Sequence, residues 1–360
     1  MPAMSRRPDG ELRKGWTTGA CAAAAARAAF EALHTGSFVD RVTIRLPRGQ
    51  RPSFALAAQQ LGPGRATAGI VKDAGDDPDV THGALILAQV EPAPAGSGVV
   101  FRAGEGVGTV TRPGLALAVG EPAINPGPRA MIAQAIADAA EGLGIAGDAL
   151  VTIAVPGGAA LAAKTMNARL GILGGLSILG TTGVVVPYSC ASWIHSIHRG
   201  VDVARAAGLE HLAGATGSTS EAAVRALHRL DELALIDMGD FVGALLKYLR
   251  RHPVPRLTIA GGFGKLAKLA QGHLDLHSSR SRIDLAALAD LAVQLGAAGA
   301  VREAGSAAEL LQTSGAAASA LTARIAAQAR GVVLATLPGA TAVDIAIFDR
   351  AGRLIGHADS

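Results

Sequence analysis

Leu257-Thr258-Ile259-Ala260-Gly261-Gly262-Phe263-Gly264-Lys265 passes from a short apolar run, through a glycine pair, straight into a helical stretch. The run reads as a strand and 264–271 as a helix, with room between them only for a tight turn. Outward from this stretch the rhythm repeats. Apolar runs at 210–213, 233–236 and 332–336 read as strands, and 220–230, 241–251 and 285–295 as helices. Strands alternating with helices pair in parallel through crossover helices, so the second half reads as a doubly wound α/β domain. An earlier turn, Gly214-Ala215-Thr216-Gly217-Ser218, has the same form, and Ser218 with Glu221 reads as a capping box at the start of the next helix. Open α/β sheets bind ligands beyond the carboxyl ends of their strands. Gly214, Thr216, Gly217, Ser218, Gly261, Gly262, Gly264 and Lys265 are therefore the candidate contacts for a nucleotide-like ligand.

The first half has a different rhythm. The spacing predicts a helix over 18–33, with Thr18 as N-cap and Thr35-Gly36 as its stop. Strands are expected at 41–46, 84–90 and 99–103. A second helix is expected at 128–141, with Pro128 at its first position and Gly142 near its end. Met131, Ile132, Ala135, Ile136 and Ala139 form its apolar face. A strand at 150–155 ends on Pro156-Gly157-Gly158. This half reads as an α+β domain, which gives domains at 1–188 and 189–360.

A chain of 360 residues has room for two such cores. Hydrophobic residues make up 49% but aromatics only 3%, so alanine and glycine carry the count and the helices are expected to pack closely. No uncharged apolar run of about 18 residues is present, which predicts no membrane contact. Met1 to Leu12 is polar and has no signal-peptide pattern. Two cysteines are too few for a disulfide framework or a structural zinc site, and the reading is a reducing cytoplasm with no resident metal. The net charge is +4, without a run of five basic residues and without aromatic stacking platforms, which argues against nucleic acid. A small polyanionic substrate suits that balance, and so does ordinary charge kept for solubility.

Three segments carry chemistry. Gly15 to Ala25, GWTTGACAAAA, sets hydroxyls at a helix start, where free amides and the helix dipole attract an anion. Arg13 and Lys14 stand just upstream; a plain helix cap is the alternative. Cys21 reads as a buried small residue. Lys72 to His82 packs four carboxylates and an imidazole into a short stretch, suited to proton transfer, to a hard metal or to plain turns. Lys164, Asn167 and Arg169 lead into the glycine-rich run 171–183, either a ligand-facing loop or a closely packed one. In the second half, His273, Asp275 and His277 alternate in a loop that reads as solvated.

Taken together these strings resemble the cobalt-precorrin-5B C(1)-methyltransferase family, known as CbiD. The resemblance rests on GWTTGACAAAA, KDAGDDPDVTHG (72–83), GEPAINPGPR (120–129), KTMNARLGILGGLSILGTTG (164–183), HRGVDVARA (198–206), GDFVG (239–243) and GGFGKLAKLAQGHLDLHS (261–278). It runs in order from Leu12 to Ser281 and is diffuse beyond. Ala20 stands where the family often has a hydroxyl residue, and Gly127 where a branched apolar one is more usual. The resemblance implies methylation of ring carbon 1 of cobalt-precorrin-5B by S-adenosylmethionine, giving cobalt-precorrin-6A. The cofactor is then expected at the glycine turns of the second domain. The corrinoid carboxylates are expected to meet Arg13, Lys14, Thr17, Thr18, Lys72, Lys164, Asn167 and Arg169. Asp73 and Asp76 are the candidate proton acceptors. A non-catalytic tetrapyrrole carrier and a small-molecule kinase are the rival readings, and a homo-oligomer is left open.

Overall fold

In the computed structural model, which describes residues 10–337 and 339–359, the chain divides into two units, Met1–Ser189 and Cys190–Ser360. The part of the N-terminal reading that concerns residues 1–9 lies outside the described residues. Strand β1 (Gly15–Trp16) leads into α1 (Thr18–Thr35). The cap is Thr17, one residue ahead of the expected Thr18: its Oγ1 accepts the Ala20 amide at 3.2 Å. Gly36 ends the helix in the left-handed conformation, at φ 77°. Alanine brings no side-chain entropy to lose and no bulk, so α1 is buried on nearly every side. Arg27 and Glu31, both partly exposed, pair at 2.8 Å on its outer edge.

The strands of the first unit are β2 (Arg41–Thr43), β3 (Ser53–Ala55), β4 (Ala58–Gly62), β5 (Arg65–Val71), β6 (Leu85–Pro92), β7 (Val99–Ala103) and β8 (Thr109–Val110). Then come α2 (Pro126–Leu143), β9 (Ala149–Ala154), α3 (Gly158–Ala162), β10 (Ile172–Leu173) and β11 (Val184–Val185). The main sheet has the order β4-β5-β6-β9-β7 and is antiparallel except for β7 beside β9. A parallel pair needs a crossover, and α2 lies in that connection. Alternation puts Ala66, Ala68 and Ile70, then Ile86, Ala88 and Val90, then Val151 and Ile153 into one core with α1 and the apolar face of α2. Helix α2 begins two residues earlier than expected, after Asn125, and runs past Gly142 to Gly144. Its two early prolines cost nothing, because first-turn amides have no helical partner. The strand expected at 41–46 is regular only to Thr43. Ile44 and Leu46 continue inward, their amides held by Pro52 and Gln50 carbonyls.

The second unit runs α4 (Ala191–Ala206), β12 (His211–Ala215), α5 (Ser218–His228), β13 (Leu235–Asp237), α6 (Val242–Leu249), β14 (Arg256–Gly262) and α7 (Phe263–Ala270). It continues with α8 (Leu285–Gln294), α9 (Ala307–Thr313), α10 (Ala318–Thr336), β15 (Ala342–Phe348) and β16 (Leu354–Ala358). The sheet order is β13-β12-β14-β15-β16, with β16 alone antiparallel to its neighbour. The chain steps one way from β12 to β13 and then back across β12 to β14. Right-handed crossovers consequently put helices on both faces. Val224 of α5 packs on Ala213, Ala260, Ala346 and Phe348. On the other face Leu212, Leu257, Ile259 and Ile345 meet Leu246, Leu266 and Ile325 of α6, α7 and α10.

The structure departs from two expectations. The run 332–336 is not a strand but the last turn of α10, with Val333 buried and Thr336 Oγ1 donating to Val332 O at 2.9 Å. The paired valines favour a strand locally, but the alanine-rich helix already under way propagates through them; the strand of this region is β15. Ser218 does not cap α5: Gly217 does, in extended backbone at φ 170°, with no side-chain cap. Ser218 is the first helical residue.

Candidate functional site

In the first unit, segment 13–16 is stitched to 73–76. The Trp16 amide donates to Asp73 O at 2.7 Å, the Asp76 amide to Arg13 O at 3.0 Å, and the Arg13 amide to Asp76 Oδ2 at 2.6 Å. The Arg13 guanidinium grips both Asp73 oxygens, at 2.5 and 2.9 Å. Only glycine fits at 75: its φ is 68°, and a Cβ there would lie 2.1 Å from Arg13 O. The Arg13 hydrogen bonds and the Gly75 amide push the Asp73 carboxyl down to about 2. So acidic a group is a poor proton acceptor near neutral pH, and Asp76 is engaged by the Arg13 amide. Both candidate acceptors serve this joint. Asp77, which sequence reasoning passed over, differs. Burial pushes its carboxyl up, and its Oδ1 accepts the amide of Tyr188 at 2.8 Å. Tyr188 sits at φ 57°, a conformation that costs a non-glycine residue about 1 kcal/mol or more.

Lys72 is turned inward. It is 2% exposed, and its ammonium meets the Asp79 carboxylate and, at 2.5 Å, the Thr81 hydroxyl. Burial pushes the Asp79 carboxyl up, but the Lys72 charge and the hydrogen bonds from Lys72 and Thr81 prevail and leave it lowered. The positive charge is neutralised inside the unit, so Lys72 does not present it to an external carboxylate. Cys21 is buried as expected, and burial pushes its thiol up to about 12.

The start of α1 is likewise consumed internally. The Thr17 amide donates to Gly183 O at 3.0 Å and the Gly19 amide to Leu179 O at 3.2 Å, while Thr17 Oγ1 takes the Ala20 amide. Thr17 and Thr18 are both buried. These bonds make the start of α1 an internal joint, with β1 paired antiparallel to β11. Buried Asn167 holds the glycine-rich loop, donating from Nδ2 to Gly175 O at 3.1 Å. At Gly127 a Cβ would lie 2.9 Å from Gly180 O, so a branched side chain has no room here. The structure thus gathers 13–18, 72–82 and 175–185 around one joint. Of the basic candidates, Arg13, Lys14 and Lys164 are exposed and Arg169 is partly so, Arg13 being paired with Asp73.

In the second unit the turns after β12, β13 and β14 meet at the switch point between β12 and β14. The Thr216 amide donates to Ala260 O at 3.0 Å, and the Met238 and Gly239 amides reach Ala215 O at 3.1 and 3.2 Å. A Cβ at Gly261 would fall 2.8 Å from Thr216 Oγ1 and 2.3 Å from Leu266 Cδ2, so the two turns approach this closely only with glycine. Gly217 and Gly262 precede α5 and α7, neither helix has a side-chain cap, and beyond both glycines lies open space. The switch point therefore offers two bare helix N-termini, and it brings together the glycines read from the sequence. Asp237, 20 residues past Gly217 and paired in register with Ala215, stands at the end of β13. Sequence reasoning did not single it out. Lys265 is held within the unit: its ammonium meets Asp240, and it donates to Leu276 O at 3.3 Å. It thereby ties the β13 turn to the loop carrying Asp275 and His277.

Among the described residues no helix is long and apolar enough to cross a membrane. Residues 5–187 match the family described as CbiD, and residues 275–359 match the one described as CbiD, C-terminal domain. A Bradyrhizobium protein named cobalt-precorrin-5B C(1)-methyltransferase is 61% identical over 353 residues, 96% of this chain and 93% of its own. Proteins of the same name from Halorhodospira halophila and Brucella anthropi are 58% and 56% identical. They cover 96% and 99% of this chain and 94% and 98% of their own. The crystal structure of the cobalamin biosynthesis protein (cbiD) from Archaeoglobus fulgidus is 29% identical, with a TM-score of 0.41 over 76% of this chain and 84% of that one.

Proposed function

The chain belongs to the CbiD family, and from that premise we propose that it methylates ring carbon 1 of cobalt-precorrin-5B, giving cobalt-precorrin-6A, with S-adenosylmethionine as donor. The observation that carries this reading is identity of 56–61% with methyltransferases of that name over nearly the whole of each chain.

The donor brings an already activated methyl group, so the protein's own task is alignment and charge. The switch point of the second unit suits such a molecule. Gly217 and Gly262 leave space over two uncapped helix N-termini, whose amides favour a carboxylate. Gly214, inside β12, makes room for the Leu245 and Met238 side chains beneath the turns, Gly261 lets Thr216 approach, Thr216 and Ser218 add hydroxyls, and Gly264 lies in the first turn of α7. Lys265 acts one step back, by holding Asp240. In the first unit, Lys14, Lys164 and Arg169 are assigned to the substrate carboxylates. Arg13, Thr17, Thr18, Lys72 and Asn167 shape the joint that carries them. Asp77 is assigned the proton released from the ring, because its burial favours the protonated form; Asp73 and Asp76 position its segment.

The test is anaerobic incubation of the purified chain with cobalt-precorrin-5B and methyl-labelled S-adenosylmethionine. Label is expected in the ring, together with S-adenosylhomocysteine. Binding of the ring without any transfer would replace this reading with that of a carrier.

A further inference from the structure

At the amino ends of the parallel strands, away from the glycine turns, three side chains from three elements converge. His211 opens β12, His228 ends α5 and Asp344 lies on β15, and one nitrogen or oxygen from each falls within 4.8 Å of the others. Thr258 Oγ1 stands among them, 2.8 Å from His211 Nε2, 3.5 Å from His228 Nε2 and 3.3 Å from Asp344 Oδ2. Both imidazoles therefore turn the same nitrogen toward one point. The Thr258 hydroxyl gives its one proton to Asp344 Oδ2 and can accept from both imidazoles, so it leaves the other carboxylate oxygen unserved. Asp344 is fully buried; Arg256 Nε donates to its Oδ2 at 2.6 Å, but its Oδ1 has no partner among the described residues. His357 Nε2, on the neighbouring β16, is also buried without one. A buried carboxylate oxygen with nothing bound to it is costly and asks for a water or an ion.

We propose that His211, His228 and Asp344 bind a divalent first-row transition-metal ion, for which two imidazoles and one carboxylate are a fitting donor set. The ion satisfies the orphaned oxygen of Asp344 and pins the end of α5 to β12 and β15. It is a structural clamp, independent of methyl transfer. Zinc alone is the probe. Full-length protein stripped with a chelator and dialysed against zinc should retain about one equivalent by elemental analysis, and its Tm should rise on loading. His228→Gln, at the partly exposed end of α5, should weaken zinc by about tenfold or more in a calorimetric titration, and Asp344→Asn should do the same. Both should keep the wild-type circular dichroism without zinc. If Asp344→Asn fails to fold, His228→Gln decides alone. Wild-type protein that retains no zinc, or a His228→Gln variant that binds it as tightly as wild type, overturns the proposal.

Discussion

Asp73 and Asp77 are four residues apart and live in opposite surroundings. Arg13 holds the first carboxyl at about 2, whereas burial raises the second. Asp77→Asn keeps an oxygen for the Tyr188 amide but removes the proton acceptor. It should lower kcat by about a hundredfold, a usual share for general-base catalysis, while leaving the donor's Kd unchanged. Asp73 makes a prediction about acid. Its folded value lies below the usual carboxylate value of about 3.9, so its stabilisation is present above about pH 4 and is lost as the pH falls through about 2. Arg13→Met removes the cause, and the acid-unfolding midpoint followed by circular dichroism should move to higher pH. The sequence announced this cluster by its density of charge. It could not say which charges are spent on each other, because Arg13 and Asp73 are 60 positions apart.

At the scale of elements, α1 was legible from its alanines and its glycine stop, and β7 from the Pro/Gly/Ser-rich turn that sets it off from β6. Boundaries that depend on distant partners were not, as at Thr43, where the ladder to β3 ends. The valine pair near the end of α10 misled for a related reason: a short run carries no record of the helix it completes. The closeness of α1 to its neighbours sets a further expectation. Ala24 is fully buried, so Ala24→Leu forces extra methylenes into a full core and should cost about 1–3 kcal/mol in denaturant unfolding. The N-terminus of α7 offers the converse. Gly262 has ordinary backbone angles, φ −75° and ψ 157°, and open space beyond it. Gly262→Val should therefore fold normally, yet raise the Kd of S-adenosylmethionine by about tenfold, or about 1.4 kcal/mol. Unchanged affinity by calorimetry would move the donor's site away from this turn.

For the molecule as a whole, the doubly wound class followed from the alternation of strands and helices, but the order β13-β12-β14-β15-β16 did not. Strand order is fixed by pairings between segments as far apart as Arg256 and Ala342, and no local pattern encodes them. The same distance hides the His211, His228 and Asp344 cluster, whose members span 133 positions. It has no spacing motif to find. The turns at the carboxyl ends of the parallel strands, by contrast, were readable, because each is built from neighbouring residues.

The tight fit of Gly127 beneath the Gly180 carbonyl has a consequence for descent. A branched side chain at that position would force the overlying peptide elsewhere, so the two sites are free to drift only as a pair. Valine alone at 127 should be penalised in this background, and a redesigned 178–183 segment that moves the Gly180 carbonyl away should restore tolerance. Neighbouring lineages would then be separated by a small epistatic barrier, although the individual replacements look innocuous.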